Sequence, residues 1–128
     1  MMGKLFLAGI GGFVGSALRY AVGSIVQNWT GGSRFPLGTL TVNVLGCLVI
    51  GFLFQLAESR GFFNAEVQIL LFVGILGGFT TFSAFGNETL NLWRDGATAF
   101  AAANVAAHLV LCLGGIWLSR ALASQILS

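Results

Sequence analysis

The chain has 128 residues, 56% of them hydrophobic and 8% charged, where soluble domains run about 25% charged. With a mean hydropathy of +0.90 there is too little polar surface to cover a water-facing globule, so the bilayer is the expected solvent. A formal net charge of +2 is too small and too scattered for nucleic-acid binding. A membrane crossing takes roughly 20 apolar residues, and four such runs fit, at about 5–26, 37–57, 67–93 and 97–119. They use nearly the whole chain as one transmembrane domain and leave no room for a second domain or a nucleotide-binding module.

The first run begins behind Lys4, as a secretory leader would. Its apolar pattern continues past Gly15 to Val26 without a small-x-small cleavage site, which predicts a retained helix. Gly11 and Gly15 are four apart, a spacing that lets another helix approach closely. Arg19 lies about two-thirds along this run. A charge there is costly, by about 3 kcal/mol on insertion scales. It either faces an anion or a vestibule, or snorkels to the interface beside Tyr20 and Trp29.

A polar loop ends at Pro36, the single proline, well placed to open the second run. Thr39, Asn43 and Cys47 follow at i, i+4 and i+8 and share one face. Asn43 offers two donors and an acceptor; helix–helix glue is the plain reading, a ligand contact the other.

The third run breaks open in its middle, at Gly77-Gly78-Phe79-Thr80-Thr81-Phe82-Ser83-Ala84-Phe85. Loosened backbone at membrane depth survives only when buried in protein or lining a water-filled path. The segment 77–80 frees carbonyl oxygens, hard ligands suited to a small hard cation; a simple glycine kink is the plainer alternative. Past the break, Thr80, Ser83, Asn87 and Asn91 fall on one stripe, while Phe82 and Phe85 are neighbours on roughly the other side. A phenyl ring has a positive edge that can face an anion.

Arg94-Asp95-Gly96 turns the chain into the fourth run, where Asn104, His108 and Cys112 share a face. His108 is the only histidine, and no carboxylate at helical spacing supports proton chemistry for it. Cys47 and Cys112 stand mid-run in apolar surroundings and read as small hydrophobes. No Asp or Glu stands at the centre of any run, which argues against a cation or proton pump. No nucleophile–base set or metal-ligand cluster suggests an enzyme.

With the N-terminus inside, the inner side carries Lys4, Arg60 and Arg120 and the outer side Arg34 and Arg94. That bias is too slight to fix one orientation. The simplest consequence is insertion both ways round, which permits an antiparallel homodimer.

Taken together these residues resemble the Fluc (CrcB-type) fluoride channels of bacteria. The resemblance covers the whole chain: four runs, an arginine late in the first, Pro-x-Gly-Thr-Leu-x-x-Asn at 36–43, Gly-Gly-x-Thr-Thr-Phe-Ser-x-Phe at 77–85, then Glu88. It implies an all-α membrane protein of four transmembrane helices with a broken third, paired as an antiparallel, dual-topology homodimer in the inner membrane. It implies passive fluoride export through two pores, with lipid, fluoride and a second copy as partners and no nucleotide.

On the residues, the resemblance implies that Phe82 and Phe85 line the pore as aromatic contacts and that Asn43 is its amide donor. Ser83, Thr81, His108 and Cys112 extend the polar lining. Arg19 becomes a vestibule residue, and the carbonyls of Gly77 and Thr80, from both subunits, hold one structural Na⁺. Two departures from the family pattern bear on this. Ala84 lacks a hydroxyl that members commonly carry, and Cys112 stands where serine is frequent. The alternative is a small multidrug-type exporter, also dual in topology. That class depends on a glutamate in the first span, where this chain has Arg19 and no acid.

Overall fold

A computed structural model describes residues Met1–Ser128. It is all helical, and four helical segments are long and apolar enough to cross a membrane: Met2–Trp29, Leu37–Arg60, Ala65–Arg94 and Thr98–Leu127. Short connections make successive segments antiparallel neighbours in a bundle. Only 18 of the 128 residues are buried. Phe13, Trp29, Val110 and Trp117 are all more than two-thirds exposed, a surface that lipid or another chain must cover.

The helices are longer than the apolar runs, because polar ends continue them. The second helix is preceded by Pro36 and closed by Gly61, whose left-handed backbone (φ 59°) caps it. The fourth helix runs on to Leu127, eight residues past the expected 119. Charges on its last turns explain the extension. Arg120 pairs with Glu58 and lies 5.5 Å over the Phe54 ring, while Arg60 donates to the Leu127 carbonyl at 2.8 Å. At the opposite end, Arg34 joins the two loops by donating to the Asp95 carbonyl at 3.3 Å.

The third span is broken where the glycines and hydroxyls sit. It opens with the short turn Ala65–Gln68, capped by Asn64. The π-helical run Ile69–Leu76 follows, then the turn Gly77–Phe79. Thr80 and Thr81 are extended, and a second helix, Phe82–Arg94, restarts the span. The fourth helix also widens, over His108–Cys112. Such π-helical widenings are rare and occur frequently at functional sites.

Close backbone contacts fix the broken span in place. A Cβ on Gly11 would lie 2.7 Å from the Leu70 carbonyl oxygen and 2.8 Å from the Gly74 Cα. One on Gly15 would lie 2.8 Å from the Phe79 amide nitrogen. The first helix therefore lies flush against the half of the third span that leads into the break. The small-residue spacing expected at Gly11 and Gly15 is occupied by this contact within one protomer. The second helix meets the break itself, because a Cβ on Gly46 would collide with the Thr80 methyl. Gly15→Val puts two methyls into backbone and is expected to cost about 1–3 kcal/mol as an overpacked contact. Gly9, with open space around it, gives the control: thermal melting in detergent should fall for Gly15→Val and stay put for Gly9→Ala.

Candidate functional site

The break leaves backbone groups that the helix ladder no longer pairs, and Asn43 takes them. Its Oδ1 accepts the Thr81 N–H at 2.8 Å, and its Nδ2 donates to the Thr81 carbonyl at 3.0 Å. One carboxamide thus imitates a strand neighbour and satisfies both polar groups of Thr81. The Thr81 side chain caps the restarted helix by accepting the Ala84 N–H at 3.2 Å. Thr80 closes the other side, its Oγ1 donating to the Leu76 carbonyl at 2.9 Å.

The second hydrogen on Asn43 Nδ2 points to His108 Nε2, 3.1 Å away. His108 Nδ1 lies 3.0 Å from the Asn104 carbonyl oxygen, which can only accept. Nδ1 therefore carries the hydrogen and Nε2 presents its lone pair to Asn43. The network continues outward through Asn104, whose Nδ2 donates to Thr89 Oγ1 at 2.9 Å, and Thr89, which donates to the Phe85 carbonyl at 2.7 Å. Asn43 and His108 are each 7% exposed and Asn104 is fully buried.

Aromatic rings stand beside this network. The Phe85 and His108 ring centroids are 4.4 Å apart, tilted by 43°, and Phe82 lies 5.3 Å from Phe85. Asn43, Thr81, Phe82, Phe85, His108 and Cys112 line one chamber of about 390 Å³, together with Gly77 and Thr80 from the break. No Asp, Glu, Lys or Arg lines it. Its lining is polar side chains and aromatic rings without a full charge.

Most of the residues singled out in the sequence therefore meet. Ser83 and Arg19 stand apart from the chamber. Ser83 is exposed, its hydroxyl 3.3 Å from the Thr81 hydroxyl. Arg19 lines a smaller cavity with Gly23, Thr39, Thr81 and Ala84. Ala84 is small, and the Arg19 cavity reaches Thr81 past it. A third, polar cavity of about 410 Å³ is lined by Gln27, Arg34, Thr39, Glu88, Asn91 and Asp95 among others. The three share walls, since Thr39 belongs to both polar cavities and Thr81 to the Arg19 cavity and the chamber.

Two pairings in the site add to the sequence reading. Both hydrogens of Asn43 are engaged within the protomer, as the helix–helix reading of this residue expects. The Glu88–Thr39 contact at 2.7 Å joins residues 49 apart and leaves Glu88 Oε2 buried without a partner. In the sequence, Thr39 shares the Asn43 face and Glu88 follows the 77–85 motif, but their pairing has no local mark.

With this geometry in view, the relatives are informative. The model of the CrcB-like protein family, Camphor Resistance (CrcB), matches residues 6–120. The chain belongs to the CrcB family. Among curated CrcB relatives, a protein named fluoride-specific ion channel FluC from Methylobacillus flagellatus is 47% identical over 117 residues, 91% of each chain. The FluC of Ruminiclostridium cellulolyticum is 44% identical over 94% of this chain and 92% of its own. FluC 3 of Methanosarcina barkeri is 36% identical over 99% and 95%. Four membrane-crossing segments and CrcB membership make this chain a multi-pass membrane protein of a non-enzymatic class.

If Asn43 holds the break, removing its hydrogens should loosen it. Asn43→Asp keeps an acceptor for the Thr81 N–H but offers nothing to the Thr81 carbonyl or His108. Loss of those two bonds is expected to cost at least about 2 kcal/mol, and the amides of Thr81 and Phe82 should exchange with deuterium faster than those of Leu48.

Proposed function

We propose that this chain forms a fluoride-selective channel that exports the ion passively from the cytoplasm across the inner cell membrane. The observation that carries this reading is the chamber at the break, which amide, hydroxyl and imidazole groups line together with the Phe82 and Phe85 rings and no charged side chain. Fluoride is small, strongly hydrated and a strong hydrogen-bond acceptor. Entry requires that its water be replaced by fixed donors and positive ring edges. A carboxylate-lined chamber would select cations, and a dry apolar one would reject the ion outright. With no proton coupling or nucleotide site required, the electrochemical gradient suffices, and a cytoplasm at negative potential drives the anion outward.

The functional unit in this reading is an antiparallel homodimer with two pores. Phe82 supports it, because this ring is 82% exposed in a lone protomer although it borders the chamber. A second copy gives it a wall to face. The break also supports the expected structural Na⁺. The Thr81 N–H goes to Asn43 instead of to the Gly77 carbonyl four residues back, and the extended ψ of Thr80 (157°) turns its carbonyl off the helix axis. Both oxygens fit a hard cation. One protomer offers two such oxygens, and a second copy around a common axis would supply two more to the same ion.

Liposomes loaded with fluoride and containing the purified protein should release it rapidly when an ionophore carries the balancing charge, with chloride retained. Equal release of both anions rejects the channel. Phe82→Ile and Phe85→Ile should each cut fluoride flux about tenfold, the scale of one lost aromatic contact at a transport barrier, while the protein still elutes as a dimer. Purification with a large organic cation in place of Na⁺ should lower the dimer's melting temperature, and restoring Na⁺ should recover it.

A further inference from the structure

His108 occupies the one hydrogen on Asn43 that does not hold the break. Of the two hydrogens on Nδ2, one belongs to the Thr81 carbonyl. That bond cannot open without releasing buried backbone, since Thr81 is only 9% exposed. The other is spent on a side chain, the lone pair of His108 Nε2 at 3.1 Å. This second bond is the expendable one. An acceptor arriving in the chamber can take it by displacing the imidazole, with Thr81 left in place.

We infer that His108 is a positioning residue that acts as a stand-in acceptor: it keeps Asn43 aimed into the chamber and yields its bond only to an anion that accepts hydrogen bonds more strongly than an imidazole nitrogen. This deepens the fluoride reading above and rests on it. Three observations bind the imidazole to this role. Its tautomer is set by the Asn104 carbonyl, which takes the Nδ1 hydrogen and leaves Nε2 as an obligate acceptor. Its ring is held against Phe85 at 4.4 Å. The fourth helix is widened over His108–Cys112, where the backbone places this ring.

Fluoride meets the requirement because a small anion concentrates its charge and accepts a hydrogen bond better than a neutral nitrogen. Chloride, larger and more diffuse, gains less from the N–H than the imidazole already supplies. Discrimination then comes from an exchange of acceptors as well as from the width of the chamber. No Asp, Glu, Lys or Arg side chain lines the chamber beside His108. Cys47 from the second helix and Cys112 on the next turn of the fourth line the same chamber. Glu88, one turn beyond Phe85 on the third span, is bonded to Thr39, and Arg19 of the first helix lines the smaller cavity across the Thr81 wall.

Because His108 is the only histidine, nitrogen NMR of the ring in the dimer reports on it alone. The expected spectrum is the neutral tautomer with hydrogen on Nδ1. Added fluoride should move the Nε2 resonance toward that of an unbonded imidazole nitrogen, and added chloride should leave it in place. An unmoved Nε2 resonance in fluoride overturns the inference. In flux measurements, His108→Phe removes the internal competitor while keeping a ring on Phe85. The fluoride concentration at half-maximal flux should fall about fivefold, the worth of one net hydrogen bond. His108→Gln, which restores an acceptor, should move it back toward wild type. Equal half-saturation in all three proteins also overturns it. A fluoride-dependent ring shift without fluoride flux in the wild type would support the His108 assignment and reject conduction instead.

Discussion

The carboxamide of Asn43 is the interaction on which the rest of this structure depends. A helix broken within the bilayer leaves an N–H and a C=O that lipid cannot satisfy. Here both belong to Thr81, and both are met by a single side chain from the second helix. Everything that makes the chamber follows. The extended pair Thr80–Thr81 can exist, the helix from Phe82 can restart, and Phe85 can lie against His108 of the fourth helix. Take the carboxamide away and both polar groups of Thr81 lose their partner at membrane depth.

Glycine makes that bond reachable. Asn43 lies within one turn of Gly46, and Gly46 lets Thr80 sit directly on the second helix. On the opposite flank Gly11 and Gly15 seat the first helix against the π-helical run that feeds the break. The broken segment is held between two smooth surfaces, and the carboxamide that reaches it belongs to a side chain of two carbons. A longer amide such as glutamine would overshoot at this separation, and the hydroxyl of a serine or threonine would satisfy only one of the two groups.

Several features were legible in the sequence for plain physical reasons. Hydropathy and length mark the four spans because the bilayer imposes a single thickness on them. The break shows itself because a glycine pair followed by two threonines is poor helix in the middle of apolar chain. The Asn104, His108 and Cys112 face, and the Phe82 and Phe85 pairing, follow from helical spacing alone. Other features were not legible. Nothing local says that Asn43 would spend both hydrogens inside the protomer, because its partners are 38 and 65 residues away. The fourth helix outruns its apolar stretch because Arg120 finds Glu58 and Arg60 finds the chain end, pairings set by how the helices lie. Ser83 is exposed in a single protomer, with its hydroxyl beside that of Thr81, a placement helical spacing alone does not give. The widened turns at Ile69–Leu76 and His108–Cys112 have no compositional mark that sets them apart from ordinary apolar helix.

The bare Phe82 ring has a consequence for biogenesis. Within a single copy, one side of the chamber is open to whatever surrounds the bundle, and in a bilayer that is hydrocarbon. An unpaired subunit would hold only part of a conduit and would leak nothing, so on the proposed architecture permeability switches on at the moment of pairing. Newly inserted chains could then accumulate harmlessly in either orientation, and the abundance of the rarer orientation would set how many working assemblies a cell possesses.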